Sequence, residues 1–208
     1  MQALERGPAA PLVWVRVGVA AGLGTGLVYA AIASQRLPYP GLVLAAAFLG
    51  PLLGAAGMGL GKLLQVERKS VAAKLAMAST FAAGALVSAM LLVQLAIKAR
   101  AQGTPVSAEL VGIWLGLDVA WDVYLGLGLL FFASAMLGHS RFGKAFGIPG
   151  LVIAVLLLAL NLYTFPTPPA DAGLFDIGPV VGLWYCAVFI QSWRSLRWVA
   201  SVQAAREG

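Results

Sequence analysis

"GLVLAAAFLGPLLGAAGMGLG", residues 41–61, holds no charged residue and no hydrogen-bonding side chain. As a helix rising 1.5 Å per residue it extends about 30 Å, the thickness of the hydrocarbon core of a bilayer. A soluble helix of this length would show a polar face, and this one has none. The stretch is bounded by "SQRLPYP" (34–40) and "KLLQVERKSVAAK" (62–74), which carry turn residues and charge.

Five further stretches share its character. With 41–61 they predict membrane-spanning helices over residues 12–33, 41–61, 75–97, 110–137, 145–163 and 177–199. The separators hold the prolines, glycines and charges that end helices. No ten-residue alternation of the barrel type occurs, and an open sheet edge has no place in lipid. The expected fold is therefore an all-α integral membrane protein, a single domain over residues 1–208 built as a six-transmembrane-helix bundle. The apolar run near the start continues too far for a cleaved signal, so the first helix is expected to be retained.

Composition agrees. Of the 208 residues 61% are hydrophobic and 11% charged, against about 25% charged in a soluble domain. So few charges cannot cover a water-facing surface. The net charge of +6 is read as a basic membrane rim rather than a nucleic-acid footprint, because the cations sit in short loops.

Placing the N-terminus in the cytoplasm puts Arg6, Arg16, Lys62, Arg68, Lys69, Lys74, Arg141, Lys144, Arg194, Arg197 and Arg206 inside, and Arg36, Lys98 and Arg100 outside. Eleven against three sets an N-in/C-in topology. The expected location is a bacterial cytoplasmic (inner) membrane. Lipids are the expected partners, with "KLLQVERKSVAAK" either a solvated turn or a segment touching anionic headgroups.

Helices in lipid associate through small residues that let backbones approach. Gly18, Gly22 and Gly26 share one face of the first helix and predict a seam, against a neighbouring helix or a second protein molecule. Gly50/Gly54 and Gly57/Gly61, Gly112/Gly116 and Gly178/Gly182 are further candidates. Pro51 lacks an N–H and frees the carbonyl of Ala47, so a kink is expected there.

Within 110–137 lie Asp118 and Asp122, four apart and on one helical face with Trp114. Two carboxylates at the centre of a membrane helix cost about 5–7 kcal/mol on an insertion scale. The thirteen Leu, Val, Ile and Phe residues from Leu110 to Phe132 return about 4–8 kcal/mol. With so narrow a margin the pair must face the bundle interior or water. At neutral pH it is expected to hold a proton or a bound cation part of the time. Depth matching places Tyr29, Asn161 and Trp184 beside Asp118, and Thr25 with the carbonyl freed by Pro51 beside Asp122. Arg16 is the nearest candidate counter-ion.

Catalytic chemistry finds little footing. One histidine (His139) and one cysteine (Cys186) cannot build an ordinary transition-metal site, and no catalytic or phosphate-binding motif occurs. No cofactor or enzymatic activity is expected. His139, in the turn "GHSRFGK" (138–144), is expected at the surface near headgroups. Trp14, Trp193 and Trp198 read as interface anchors.

The segment "WDVYLGLGLLFFASAMLGHSRFGKAFGIPGLVIAVLLLALNLYTF" (121–165) shows an apolar helix, a Ser/Arg turn and a glycine-containing helix. In this it resembles uncharacterised bacterial multi-pass membrane proteins grouped as a domain of unknown function, over roughly residues 110–200. The resemblance implies fold and location and carries no activity. The leading expectation is a polar intramembrane cavity around Asp118 and Asp122 that binds or passes a small solute, ion or proton. The alternative is a non-catalytic membrane subunit or scaffold packed through its glycine seams.

Overall fold

The computed structural model describes residues 12–101 and 103–207, with side chains through Ala205. Arg6 and the Arg206 side chain, both assigned to the basic rim, lie outside the described residues. Every element among the described residues is helical: α1 (Leu12–Ala33), α2 (Tyr39–Leu64), α3 (Val71–Ala101), α4 (Ala108–Met136), α5 (Gly143–Thr164), α6 (Gly178–Arg194) and α7 (Leu196–Glu207). The first five are each long and apolar enough to cross a membrane. Proline sits in the first turn of α2 and of α6, where its missing N–H had no partner to lose.

The sixth apolar stretch departs from the expectation of one helix over 177–199. α6 has 17 residues, and α7 begins after a break at Ser195. The Ser195 hydroxyl donates to the Gln191 carbonyl at 2.8 Å, and its backbone N–H is shared between the Gln191 and Ser192 carbonyls. Back-bonding of this kind competes with the helix ladder and bends it. The turn 139–142 grips the bend: Gln191 Nε2 donates to the Arg141 carbonyl at 2.7 Å, and Arg141 Nε reaches the Ser195 hydroxyl at 3.4 Å. α7 then lies against the bundle with Val199 buried and Arg197 exposed.

Neighbours in sequence are neighbours in space from α1 to α5, each pair antiparallel, and α6 returns to pack on α1. Gly22 meets Phe189 and Gly26 meets Cys186. Contacts that climb one helix descend the other, so α6 runs antiparallel to α1. α2 is the centre of the packing and is glycine-lined on two faces. Gly59 rests on Gly18 of α1. Gly50, Gly54, Gly57 and Gly61 meet Gly84, Phe81, Thr80 and Met77 of α3. Thr80 is a knob set between two glycines, since a Cβ on Gly57 would lie 2.8 Å from its methyl and one on Gly128 of α4 2.6 Å from its hydroxyl.

The triple Gly18, Gly22 and Gly26 thus faces α2 and α6 of its own chain. Gly112, Gly116 and Gly182 have open space where a Cβ would stand, and Gly178 abuts only Asp176 of its own chain entry into α6. Those two pairs form no seam between helices of this chain. Spacing alone cannot say which way a helix is rotated.

The break at Pro51 is closed by a neighbour. Ser88 of α3 donates to the Ala46 carbonyl at 2.8 Å and lies 3.3 Å from that of Ala47, while Gly50 N–H donates to Ser88 Oγ at 3.0 Å. One hydroxyl therefore replaces the interrupted ladder. The carbonyl expected to serve Asp122 is answered by Ser88 instead.

Packing is uneven along the bundle. The end holding the turns 65–70 and 137–142 is filled by Leu60, Leu63, Leu64, Leu129, Phe132 and Met136, all 2% exposed or less. At the other end α4 buries only Val119 before Leu125. The bundle is closed at one end and splayed at the other.

His139 sits in the closed end at 4% exposure, not at the surface as expected. Its ring lies 5.3 Å from Phe142 and 5.6 Å from Trp198. Its Nδ1 accepts the Arg141 N–H at 3.1 Å, and Nε2 is 4.0 Å from Glu67 Oε2. Glu67 in turn accepts from the Ser140 hydroxyl and, at 3.2 Å, from the Ser140 N–H. "KLLQVERKSVAAK" is thereby tied to the 137–142 turn, with Val66 and Gln65 buried beneath. Burial holds the imidazole below its ordinary range, against the opposing pull of Glu67. Burial would raise Glu67, but the Ser140 bonds, His139 and Arg68 together bring it down.

Both shifts have one sign. A folded-state pKa below the unfolded one contributes stability above the unfolded value and loses it as pH falls through the folded value. His139 weakens the closed end as pH drops below about 6.5, and Glu67 follows below about 4.5. Thermal unfolding in detergent should show a lower Tm at pH 5.5 than at 7.5, and His139→Gln should remove that difference. A second measurement concerns the glycines. Gly50→Ala drives a methyl into the Gly84 carbonyl and should cost about 1–3 kcal/mol. Gly112→Ala, facing open space, should be neutral or gain up to about 1 kcal/mol.

Candidate functional site

The splayed half holds an open-sided cavity of about 420 Å³ between α1, α4 and α6, floored by Leu49 and Leu53 of α2, Val87 of α3 and Leu157 of α5. Missing side chains make the space. Gly22 and Gly26 on α1 and Gly178 and Gly182 on α6 all line it. Gly22 is pressed by Phe189, but Gly182 faces nothing within 4 Å. The same glycines that sequence spacing suggests as seams hold this wall back from the centre.

Polar groups on the wall are few. Asp122 of α4 lines the cavity, with Thr25 and Tyr29 of α1 and Tyr185 of α6. Thr25 turns its hydroxyl back to the Ala21 carbonyl at 2.8 Å, leaving Asp122 and Tyr29 to meet an occupant. The fully buried Asn161 side chain is within hydrogen-bonding reach of the Asp122 carboxylate. Asn161 Nδ2 donates to the Leu157 carbonyl at 3.0 Å, and its Oδ1 is buried without a partner. Tyr185 directs its hydroxyl toward that of Thr80, yet neither makes a hydrogen bond of good geometry.

Asp118 stands one turn from Asp122 and is oriented differently. Its Oδ1 accepts the Trp121 Nε1–H at 2.8 Å, so the indole that lines the cavity is fixed by the second carboxylate. Asp171 and Asp176, from the connection before α6, lie close enough to act on Asp118, and Asp176 also acts on Asp122 and Tyr29. The groups acting electrostatically on Asp122 are acidic, with no Lys or Arg among them. The connection before α6 thus adds negative charge beside the cavity, while Arg36, Lys98 and Arg100 stand elsewhere at the same end of the bundle.

The sequence-predicted residues divide. Asp122 and Tyr29 line the cavity, Asn161 is next to Asp122 but not on the wall, and Asp118 is bonded to Trp121. Trp184 does not join them: its indole N–H donates to the Phe146 carbonyl at 3.1 Å and its ring packs on Gly150, toward the closed end. Trp114 is half-buried further out on α4 and Arg16 is exposed on α1; neither lines the cavity. Arg16 is therefore no counter-ion here. Tyr185, Cys186 and Phe189 line the cavity without having been singled out for it. The signal was present in the four-residue spacing of Val181, Tyr185 and Phe189 on one face of α6, but the rotation of that face toward α1 was not.

Chemically the site offers a carboxylate in a largely apolar chamber, an adjacent amide, and aromatic rings. No group of three or more His, Cys, Asp or Glu capable of holding a metal ion occurs among the described residues. No protein-family model matches the chain, and neither the curated proteins nor the solved structures contain a match to it.

Cys186, the sole cysteine, is exposed and lies on the cavity wall. A small maleimide should label it fully in detergent-purified protein, read by intact mass. Gly26→Phe, whose Cβ would lie 3.7 Å from Sγ, should slow that labelling about tenfold or more by covering the thiol.

Proposed function

We propose that this is an integral protein of a bacterial inner membrane that binds a small solute, ion or proton at Asp122, in a cavity entered from the non-cytoplasmic side. The reading rests on one observation above others: a carboxylate bordering a cavity of about 420 Å³ in the splayed half of an apolar bundle. A membrane carboxylate without function would be disfavoured by its insertion cost. One pressed into a filled interior could serve packing alone, but Asp122 borders open volume.

Six crossings with both termini in the cytoplasm fit this reading. α6 is short, about 25 Å at 1.5 Å per residue, yet it runs antiparallel beside α1 from the splayed end to the closed one. Helices of about 17 residues lie at the lower limit for a span. The closed end carries Lys62, Arg68, Lys69, Arg141, Lys144 and Arg194, and the splayed end carries Arg36, Lys98 and Arg100 with Asp171 and Asp176. That bias of basic residues supports a cytoplasmic closed end.

Passage across the membrane requires a second conformation, because Leu60, Leu129, Phe132 and Met136 fill the path below the cavity. Pro51 sits at the boundary between the filled and open halves and is the natural place for such a change.

Two measurements test the proposal. In proteoliposomes, Asp122→Asn should abolish solute binding or flux while inserting normally; Asp118→Asn, which loosens Trp121, should weaken it about tenfold. Wild-type activity in the Asp122→Asn protein would refute the assignment. For topology, in a Cys186→Ala background, Thr167→Cys should react with an impermeant thiol reagent in intact cells and Lys144→Cys should not.

A further inference from the structure

We infer that the occupant of this cavity is a lipophilic organic cation, an amine or onium group on an apolar body, and not a bare metal ion, an anion or a neutral hydrophobe. The inference deepens the binding role proposed for Asp122 and depends on it.

Size and lining set the first limit. A volume of about 420 Å³ falls within the range of small-molecule pockets, about 300–1,000 Å³. Leu49, Leu53, Val87, Leu125, Leu157 and Leu183 supply most of the wall. A hydrated inorganic ion gains nothing from such a surface. A dehydrated one such as calcium requires about six to eight oxygen ligands. Here it would find the carboxylate of Asp122 and the hydroxyl of Tyr29, with no metal-ligating cluster among the described residues.

Charge sets the second limit. Asp122 borders the cavity, Asp118 and Asp176 add to its field, and no Lys or Arg lines the wall. An anion would meet repulsion from Asp122, Asp118 and Asp176 and no balancing cation on the wall. A neutral apolar molecule would fill the volume but gain nothing from the acidic group, which would stand unpaired or take up a proton. A lipophilic cation satisfies both demands: its body occupies the apolar wall and its charge pairs with Asp122.

The aromatic groups complete the fit. Trp121, Tyr29, Tyr185 and Phe189 line the cavity. A cation over an aromatic face is attracted by the ring's electron-rich centre, most strongly at tryptophan. Trp121 is held by the hydrogen bond from its Nε1–H to Asp118, and Tyr185 by stacking on Phe189 at 6.2 Å. These rings are therefore fixed in place before an occupant arrives. The second carboxylate acquires a use as well, since it orients the indole and adds to the negative field without touching the occupant. Access follows from exposure: Tyr29, Pro179, Leu183 and Cys186 are both cavity-lining and exposed, so the chamber opens along the α1–α6 edge, where an amphiphile partitioned into the outer leaflet would meet it.

The experiment uses two isosteric probes of opposite charge, tetraphenylphosphonium and tetraphenylborate, with neutral triphenylphosphine oxide and sodium or calcium chloride alongside. The full-length protein in proteoliposomes is scored for protection of Cys186 from maleimide and for quenching of tryptophan emission. The expected result is protection by tetraphenylphosphonium alone, weakened at least tenfold in Asp122→Asn and retained in Asp122→Glu, with both variants checked for folding by elution volume. Equal protection by the borate or the neutral oxide, unaffected by Asp122→Asn, would overturn the cationic class while leaving a binding cavity. Absence of protection by any organic probe, together with a sodium or proton flux that needs Asp122, would overturn this inference and uphold the proposed function. Absence of both would end the two together.

Discussion

Backbone contact between glycines is the constraint on which this fold rests. In lipid, burying leucine against leucine gains little, because the tails outside are just as apolar. What joins helices is close approach, and α2 provides it on two faces at once, to α1 at Gly59 and to α3 from Gly50 to Gly61. Removing those side chains lets polar backbone groups of adjacent helices come near enough for a hydroxyl to join them, as Ser88 does at Gly50. The remaining helices are arranged around this central element.

Uneven glycine use then produces the cavity. Where glycine meets a backbone or a knob such as Thr80, the bundle is filled. Where glycines stand on facing walls with no knob between them, as at Gly26 and Gly182, a chamber results. The transition occurs between Leu125, buried beneath Asp122, and Asp118 above it. Asp122 is thus at the boundary of dry packing and open volume, the depth at which a carboxylate can be both confined and reached.

The first five helices were legible because hydropathy reports length directly: residues 12–33 were read as they stand, and the other four differ by one to four residues at each end. The division at Ser195 was not legible, because the apolar pattern runs through it; what breaks the helix is a hydroxyl and a grip from Arg141, fifty residues away. His139 was misplaced for a similar reason. A polar turn reads as solvated unless its partners, here Glu67 and Trp198, are known to fold over it. At the site, depth placed Tyr29 and Asn161 beside Asp118, whereas Tyr29 lines the cavity with Asp122 and Asn161 lies next to the Asp122 carboxylate, one turn further in. Trp184 shares that depth along α6, but its long side chain reaches toward Phe146. Depth can be read from a sequence, whereas helix rotation and side-chain direction require the neighbours.

The hydroxyl of Ser88 bears on how this molecule can move. A proline-broken helix standing alone can flex at the break at little expense, because the missing bond is already gone. In α2 the gap is bridged from α3, so any bend there must either drag α3 along or forfeit three hydrogen-bond contacts in a medium that offers no water to replace them. Helices two and three are in effect one rigid lever. A swing of that lever about residue 51 would change the floor of the chamber, formed by Leu49, Leu53 and Val87, in a single stroke rather than residue by residue.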